Sequence, residues 1–246
     1  MFHVKHPRDD ASVERLVRAA DAMGVHVDTD AARDLVELLR RMQSEPQNLT
    51  AVCDEAEGVD RHLADSLAAL TLQLPEGPVA DIGSGGGMPG LVLARMLPQR
   101  DVTLIESERR KAEWLARASA QMPRVRVCAE RTEEVATRER EGFAVVTARA
   151  VAPPSSTLEL AAPLVAVGGM LVAWTGTDSG GEWAGLAPVA RHLGFDDGCA
   201  RIVTPFPHAR RMLMVFRKHS AAPAAYPRRP GRATKRPLDA AKVPDA

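Results

Sequence analysis

The decapeptide Asp81-Ile82-Gly83-Ser84-Gly85-Gly86-Gly87-Met88-Pro89-Gly90 gathers the residues best suited to holding a small charged ligand. Glycines let the chain turn tightly and let a ligand approach the backbone with no Cβ in the way. The loop follows the apolar run Val79 to Ile82, and Glu106 ends the next such run, Val102 to Ile105. Gly85-x-Gly87-x-x-Gly90, with an acid about twenty residues on to take ribose hydroxyls, fits a dinucleotide. It fits S-adenosylmethionine equally well, because that ligand also presents a ribose to Glu106. Charge distinguishes the two. A diphosphate would meet repulsion from Asp81 at the strand end, whereas a sulfonium and an ammonium would not. Pro89 also withholds one backbone donor that a phosphate could use. A methyltransferase is therefore favoured over a nicotinamide-dependent oxidoreductase, and both stand as readings of the loop.

Such a loop needs a sheet to hold it. Before residue 75 the apolar spacing is helical: Val13, Leu16, Val17, Ala20 and Met23, then Leu35, Leu38, Leu39 and Met42 after a cap at Asp30, then Leu63, Leu67 and Leu70. From Pro78 onwards short β-rich runs alternate with helical segments: Val79 to Ile82, Val102 to Ile105, Val125 to Cys128, Phe143 to Thr147 and Gly169 to Trp174. Ile202-Val203 and Met212 to Phe216 form a closing hairpin. Strands alternating with helices predict a mainly parallel α/β sheet of seven strands, covered on both faces. Residues 1–74 are expected as a helical extension or lid, 75–217 as a Rossmann-like domain, and 218–246 as a tail.

The 246 residues carry 32 basic and 32 acidic side chains, and 45% are apolar, enough for a full core. No apolar run approaches the ~20 residues of a membrane span, and Met1 to Arg18 lacks the apolar stretch of a secretion signal. A soluble, cytoplasmic protein is expected. Cys53, Cys128 and Cys199 form no CxxC or Cys/His ligand spacing, which argues against a disulfide framework or zinc site. The zero balance hides an asymmetry. From Arg217 onwards eight basic residues face two acidic ones, among Pro223, Pro227, Pro230, Pro237 and Pro244. That composition predicts a disordered tail that adds salt-sensitive affinity for polyanions and nothing to cofactor binding.

The decapeptide resembles the D-V-G-T-G-x-G-L-P-G signature of the RsmG (GidB) family, bacterial 16S ribosomal RNA guanine-N7 methyltransferases. Asn48-Leu49-Thr50 resembles the family's N-L-T, Arg61-His62-Leu63-Ala64-Asp65-Ser66 its R-H-x-x-D-S, Arg131 to Glu134 its R-x-E-E, and Ala148-Arg149-Ala150-Val151-Ala152 its S-R-A-x-A. Met1 to His6 is also similar to the start of several members. The order and spacing agree over residues 30–217. The chain departs from the pattern at Trp174-Thr175-Gly176, where members carry L-K-G, at Glu108, an added acid, and at Gln47 in place of an aromatic. The resemblance implies that Gly83 and Met88 line an S-adenosylmethionine site, that Thr132 and Glu133 flank the adenine, and that Arg149 reaches the site from a strand end. Gly85, with Asp81 and Glu106, completes the expected cofactor set. It further implies 16S rRNA, in the decoding region of the 30S subunit, as substrate of a monomeric enzyme, with a small-molecule methyltransferase as the alternative.

The residues fit N7 as acceptor. Cytosine C5 chemistry needs a cysteine after proline in the fourth-strand loop, and exocyclic amines need a polar residue before Pro-Pro-aromatic. The stretch here reads Ala152-Pro153-Pro154-Ser155. Guanine N7 offers an in-plane lone pair and no proton, so no catalytic base is expected, and His62 is read as a packed residue.

Overall fold

A computed structural model describes residues 7–176 and 180–243. Met1 to His6 lie outside the described residues. Helices α1 (Pro7–Ala22) and α2 (Thr29–Gln43) lead into one continuous helical run. That run is α3 (Glu55–Gly58), a π-helical stretch (Val59–Ala64), α4 (Asp65–Leu67) and a 3₁₀ turn (Ala68–Thr71). Asp28, two residues ahead of the expected Asp30, caps α2 by accepting the Ala31 N–H at 2.7 Å.

The remainder alternates as the apolar runs require: β1 (Val79–Ile82), α5 (Gly90–Met96), β2 (Val102–Ile105), α6 (Arg109–Ala118), β3 (Val125–Cys128), α7 (Thr132–Arg138), β4 (Phe143–Arg149), α8 (Pro154–Ala161), β5 (Val165–Gly176), α9 (Gly180–Ala184), α10 (Ala187–His192), β6 (Cys199–Val203), β7 (Arg211–Arg217) and α11 (Arg232–Lys235). The sheet runs β3-β2-β1-β4-β5-β7-β6. The first five strands are parallel and β7 is antiparallel to both β5 and β6. Chain order reverses between β1 and β4, so a crevice opens above their carboxyl ends.

Side-chain alternation divides the core in two. Val79, Val102, Leu104, Val145 and Val172 pack with Leu16, Leu35, Leu39 and Leu63 on one face. Ala80, Ile82, Ile105, Val146 and Leu171 pack with Leu158, Leu193 and Phe216 on the other. The N-terminal helices thus share a core with the sheet instead of standing apart from it. The tail departs further from expectation. Ala222, Tyr226 and Ala233 are buried in the second core, and Arg140 donates to the Tyr226 and Ala222 carbonyls. Arg228 makes a bidentate pair with the buried Glu159 carboxylate. Proline and charge content suggested an unpacked segment, but a few apolar residues and one buried ion pair suffice to dock it.

Candidate functional site

At the crevice, a cavity of about 430 Å³ is lined by Gly83, Gly85 and Met88 of the loop, Glu106 after β2, Thr132 and Glu133 at the start of α7, and Arg149 at the end of β4. Seven of the eight expected site residues therefore meet around one space. Larger or comparable clefts of about 680 and 450 Å³ lie elsewhere. In the smaller cleft Arg95 pairs with Asp34 and Arg117 with Glu45, and neither cleft is lined by the glycine loop.

The loop's shape depends on its glycines, two of which show why. Gly83 adopts φ +62°, and a Cβ there would come within 3.0 Å of Val151. At Gly90 a Cβ would meet Leu104 at 2.3 Å and the Asp81 carboxylate at 2.7 Å. The loop's amides are largely committed. Ser84 N–H donates to Ile105 C=O and Gly87 N–H to Ser84 C=O. Gly85 N–H donates to Glu106 Oε2 at 2.9 Å, and Gly90 N–H to Asp81 Oδ2 at 3.2 Å. Glu106 also accepts the Glu108 N–H at 2.7 Å. Two of these amides are thus already taken by the protein's own carboxylates, which leaves fewer donors for a ligand anion.

Asp81 is the eighth expected residue, and the structure corrects its placement. It lies 1% exposed beneath the loop, accepting from Thr147 Oγ1 at 2.7 Å as well as from Gly90. Burial pushes its carboxyl up to about 6, against the lowering effect of the Thr147 bond. It shapes the loop from behind and is not a wall of the cavity. The carboxylate that meets the loop from the cavity side is Glu106.

Arg149 is positioned by the helical layer. Its guanidinium donates to Asp65 Oδ2 and to the Arg61 carbonyl, each at 3.1 Å, and it lies 3.5 Å from His62 Nδ1. Asp65 is wholly buried, and Arg211 of β7 occupies its other oxygen. The Trp174 indole N–H donates to the Asp65 carbonyl at 2.9 Å. His62 Nε2 meets Thr50 Oγ1 at 2.7 Å. Burial, with Arg149 and Arg61 nearby, lowers the His62 pKa to about 4, so the ring is neutral near pH 7. The π-helical stretch carries Arg61 and His62 and leads directly into Asp65; such turns are frequent at functional sites. The Asn48-Leu49-Thr50 and Arg61-to-Ser66 motifs thus converge through Thr50, His62 and Asp65 on Arg149. Sequence reading assigned Asp65 no role, although its motif was visible.

Glu133 Oε1 accepts the Gly231 N–H at 2.8 Å, and Gly231 and Thr234 of the C-terminal segment line the same cavity. Sequence reading placed neither residue here. The one signal was a glycine isolated among prolines and arginines.

The GidB family profile, described as rRNA small subunit methyltransferase G, matches residues 28–197. The ribosomal RNA small subunit methyltransferase G of Roseiflexus castenholzii is 36% identical over 236 residues, covering 92% of this chain and all of that one. Its namesake in Chloroflexus aggregans is 38% identical over 196 residues, covering 78% and 82%. The chain belongs to the rRNA small subunit methyltransferase G family. The match to this methyltransferase family spans the glycine loop, Glu106, Thr132, Glu133 and Arg149, and the motifs that meet around Asp65. A solved variant of the 16S rRNA (adenine(1408)-N(1))-methyltransferase of Catenulisporales acidiphilia shares the fold, with TM-score 0.50 at 14% identity over 65% of this chain and 90% of that one. Among the described residues no helix is long and apolar enough to cross a membrane.

Proposed function

We propose that the protein transfers a methyl group from S-adenosylmethionine to N7 of a guanine in 16S rRNA. The observation that carries the cofactor is the Glu106 carboxylate bound to the Gly85 amide. A diphosphate seated on the loop would displace that bond and face the freed charge, whereas a ribose can donate its hydroxyls to the same carboxylate. Glu106 would hold the ribose, Thr132 and Glu133 would flank the adenine, and Gly83 and Met88 would border the methionyl portion. Arg149 suits that portion's carboxylate, since a guanidinium matches a carboxylate bidentately. When bound, the sulfonium supplies a methyl group to an in-line lone pair.

The chain's own contribution is alignment and exclusion of water, which can supply several kcal/mol of the barrier (of order 7–11 at best). His62 commits one ring nitrogen to Thr50 and faces Arg149 with the other, so it is engaged in structure and is not available as a base. That arrangement suits an acceptor with no proton to lose, which N7 is. The RNA substrate rests on the family, and presentation by the 30S particle in the decoding region would splay the base for attack. Exposed Arg229, Arg232, Lys235 and Arg236 lie in the same C-terminal segment as the cavity-lining Gly231 and Thr234 and would meet RNA phosphates.

The test is methyl transfer from labelled S-adenosylmethionine to 30S particles and to naked 16S rRNA from a strain lacking the enzyme, with the product mapped by mass. A single N7-methylguanine is the expected result. Label on another atom, or none in either substrate, contradicts the assignment.

A further inference from the structure

Resting on that cofactor reading, we infer that residues 226–238 form a strap that completes the cofactor site, with Gly231 and Thr234 as binding-site residues. Three observations place the strap there. Its ends are tied down, by the Tyr226 hydroxyl against His192 at 3.1 Å and by the Ser155 hydroxyl donating to the Leu238 carbonyl at 2.7 Å. Its middle is anchored by the Arg228–Glu159 pair, in which the acid's side chain is 2% exposed, and by Ser156 donating to the Ala233 carbonyl at 2.9 Å. Between those anchors the Gly231 N–H reaches Glu133, the acid at the proposed adenine end, and Gly231 and Thr234 face the cavity.

Gly231 adopts φ +75° with open space where a Cβ would stand. That left-handed turn brings the backbone N–H to Glu133 and starts the α11 turn that carries Thr234. The strap therefore takes Glu133 Oε1 as its own acceptor, which fixes that carboxylate's orientation at the start of α7. A donor on the ligand's base then meets an oriented carboxylate, and the strap's inner side covers the base. This inference runs against the expectation that the segment contributes nothing to cofactor affinity.

The experiment uses the full chain and S-adenosylhomocysteine as probe. Trypsin can cleave the strap after Arg232 and Lys235, both exposed. Saturating S-adenosylhomocysteine is expected to slow cleavage there about tenfold while leaving cleavage at Arg18, on α1, unchanged. Thr234→Trp, which fills cavity space from an exposed position, is expected to weaken binding at least tenfold by calorimetry at unaltered Tm. Unchanged cleavage together with wild-type affinity in Thr234→Trp would overturn the strap while leaving the cofactor reading intact. Failure of the wild-type chain to bind the probe would overturn both.

Discussion

Asp81 shows how burial changes what a carboxylate can do. Its pKa of about 6 in the fold stands above the ordinary 3.8 because the ionised form is taken out of water. A folded-state pKa above the unfolded value means the folded protein holds the proton more tightly. Asp81 therefore favours the fold below pH 4, and that contribution is lost as pH rises through about 6. Asp81→Asn keeps a side-chain oxygen for the Gly90 N–H and removes the charge. Chemical unfolding from pH 4 to 7 is expected to show wild type losing on the order of 2 kcal/mol relative to Asp81→Asn. Parallel stability curves for the two proteins would show that burial does not penalise the charge. The loop glycines and Glu106 were legible from residue type and spacing, because close ligand approach needs the former and ribose hydroxyls the latter, whereas Met88 and Arg149 came from the family resemblance. The depth of Asp81 was not legible. Alternation along β1 assigns a face, but the reach of a short side chain toward Gly90 and Thr147 is a tertiary fact.

At the scale of elements, the N-terminal helices aim an arginine of the sheet. Asp65 leaves a π-wound turn and binds Arg149 of β4 and Arg211 of β7 together. Removing one of two cations differs from removing the shared anion. Arg149→Ala leaves Asp65 paired with Arg211, so the fold is expected to persist while methyl transfer falls at least a hundredfold. Asp65→Asn leaves two cations sharing a neutral amide, and loss of a buried charge partner costs roughly 3–5 kcal/mol. Thermal melts of both variants, beside their turnover, separate the cases. Equal loss of stability in the two would contradict the division of labour, and near-normal turnover in Arg149→Ala would remove that residue from the site. Periodicity located the helices around Leu16, Leu39 and Leu63 and the order of strands. It could not show the π turn, because Val59, Leu63 and Leu67, four residues apart, fit the face of a regular helix as well.

Over the whole molecule, the two sheet faces are covered by different parts of the chain, and both coverings send residues to one crevice. The helical layer supplies Asp65 and His62, which hold Arg149. The C-terminal segment supplies Gly231 to Glu133. Composition misread that segment because disorder rules weigh average hydropathy, and here Ala222, Tyr226 and Ala233, with the Arg228–Glu159 pair, carry the packing. The site draws on residues from the first helices to the last, so ligand binding is expected to stabilise the chain as a unit: at a hundredfold excess over Kd, by about 2.7 kcal/mol.

The central claim is that the glycine loop and Glu106 receive a ribose-bearing sulfonium and not a diphosphate. Isothermal calorimetry of the wild-type chain and Glu106→Ala against S-adenosylmethionine and against NAD tests it most directly. Wild type is expected to bind S-adenosylmethionine and leave NAD unbound, with Glu106→Ala losing at least tenfold in affinity, about the 1.4 kcal/mol of a charge-assisted hydrogen bond. Tight NAD binding by wild type, or undiminished S-adenosylmethionine affinity in Glu106→Ala, would contradict the account.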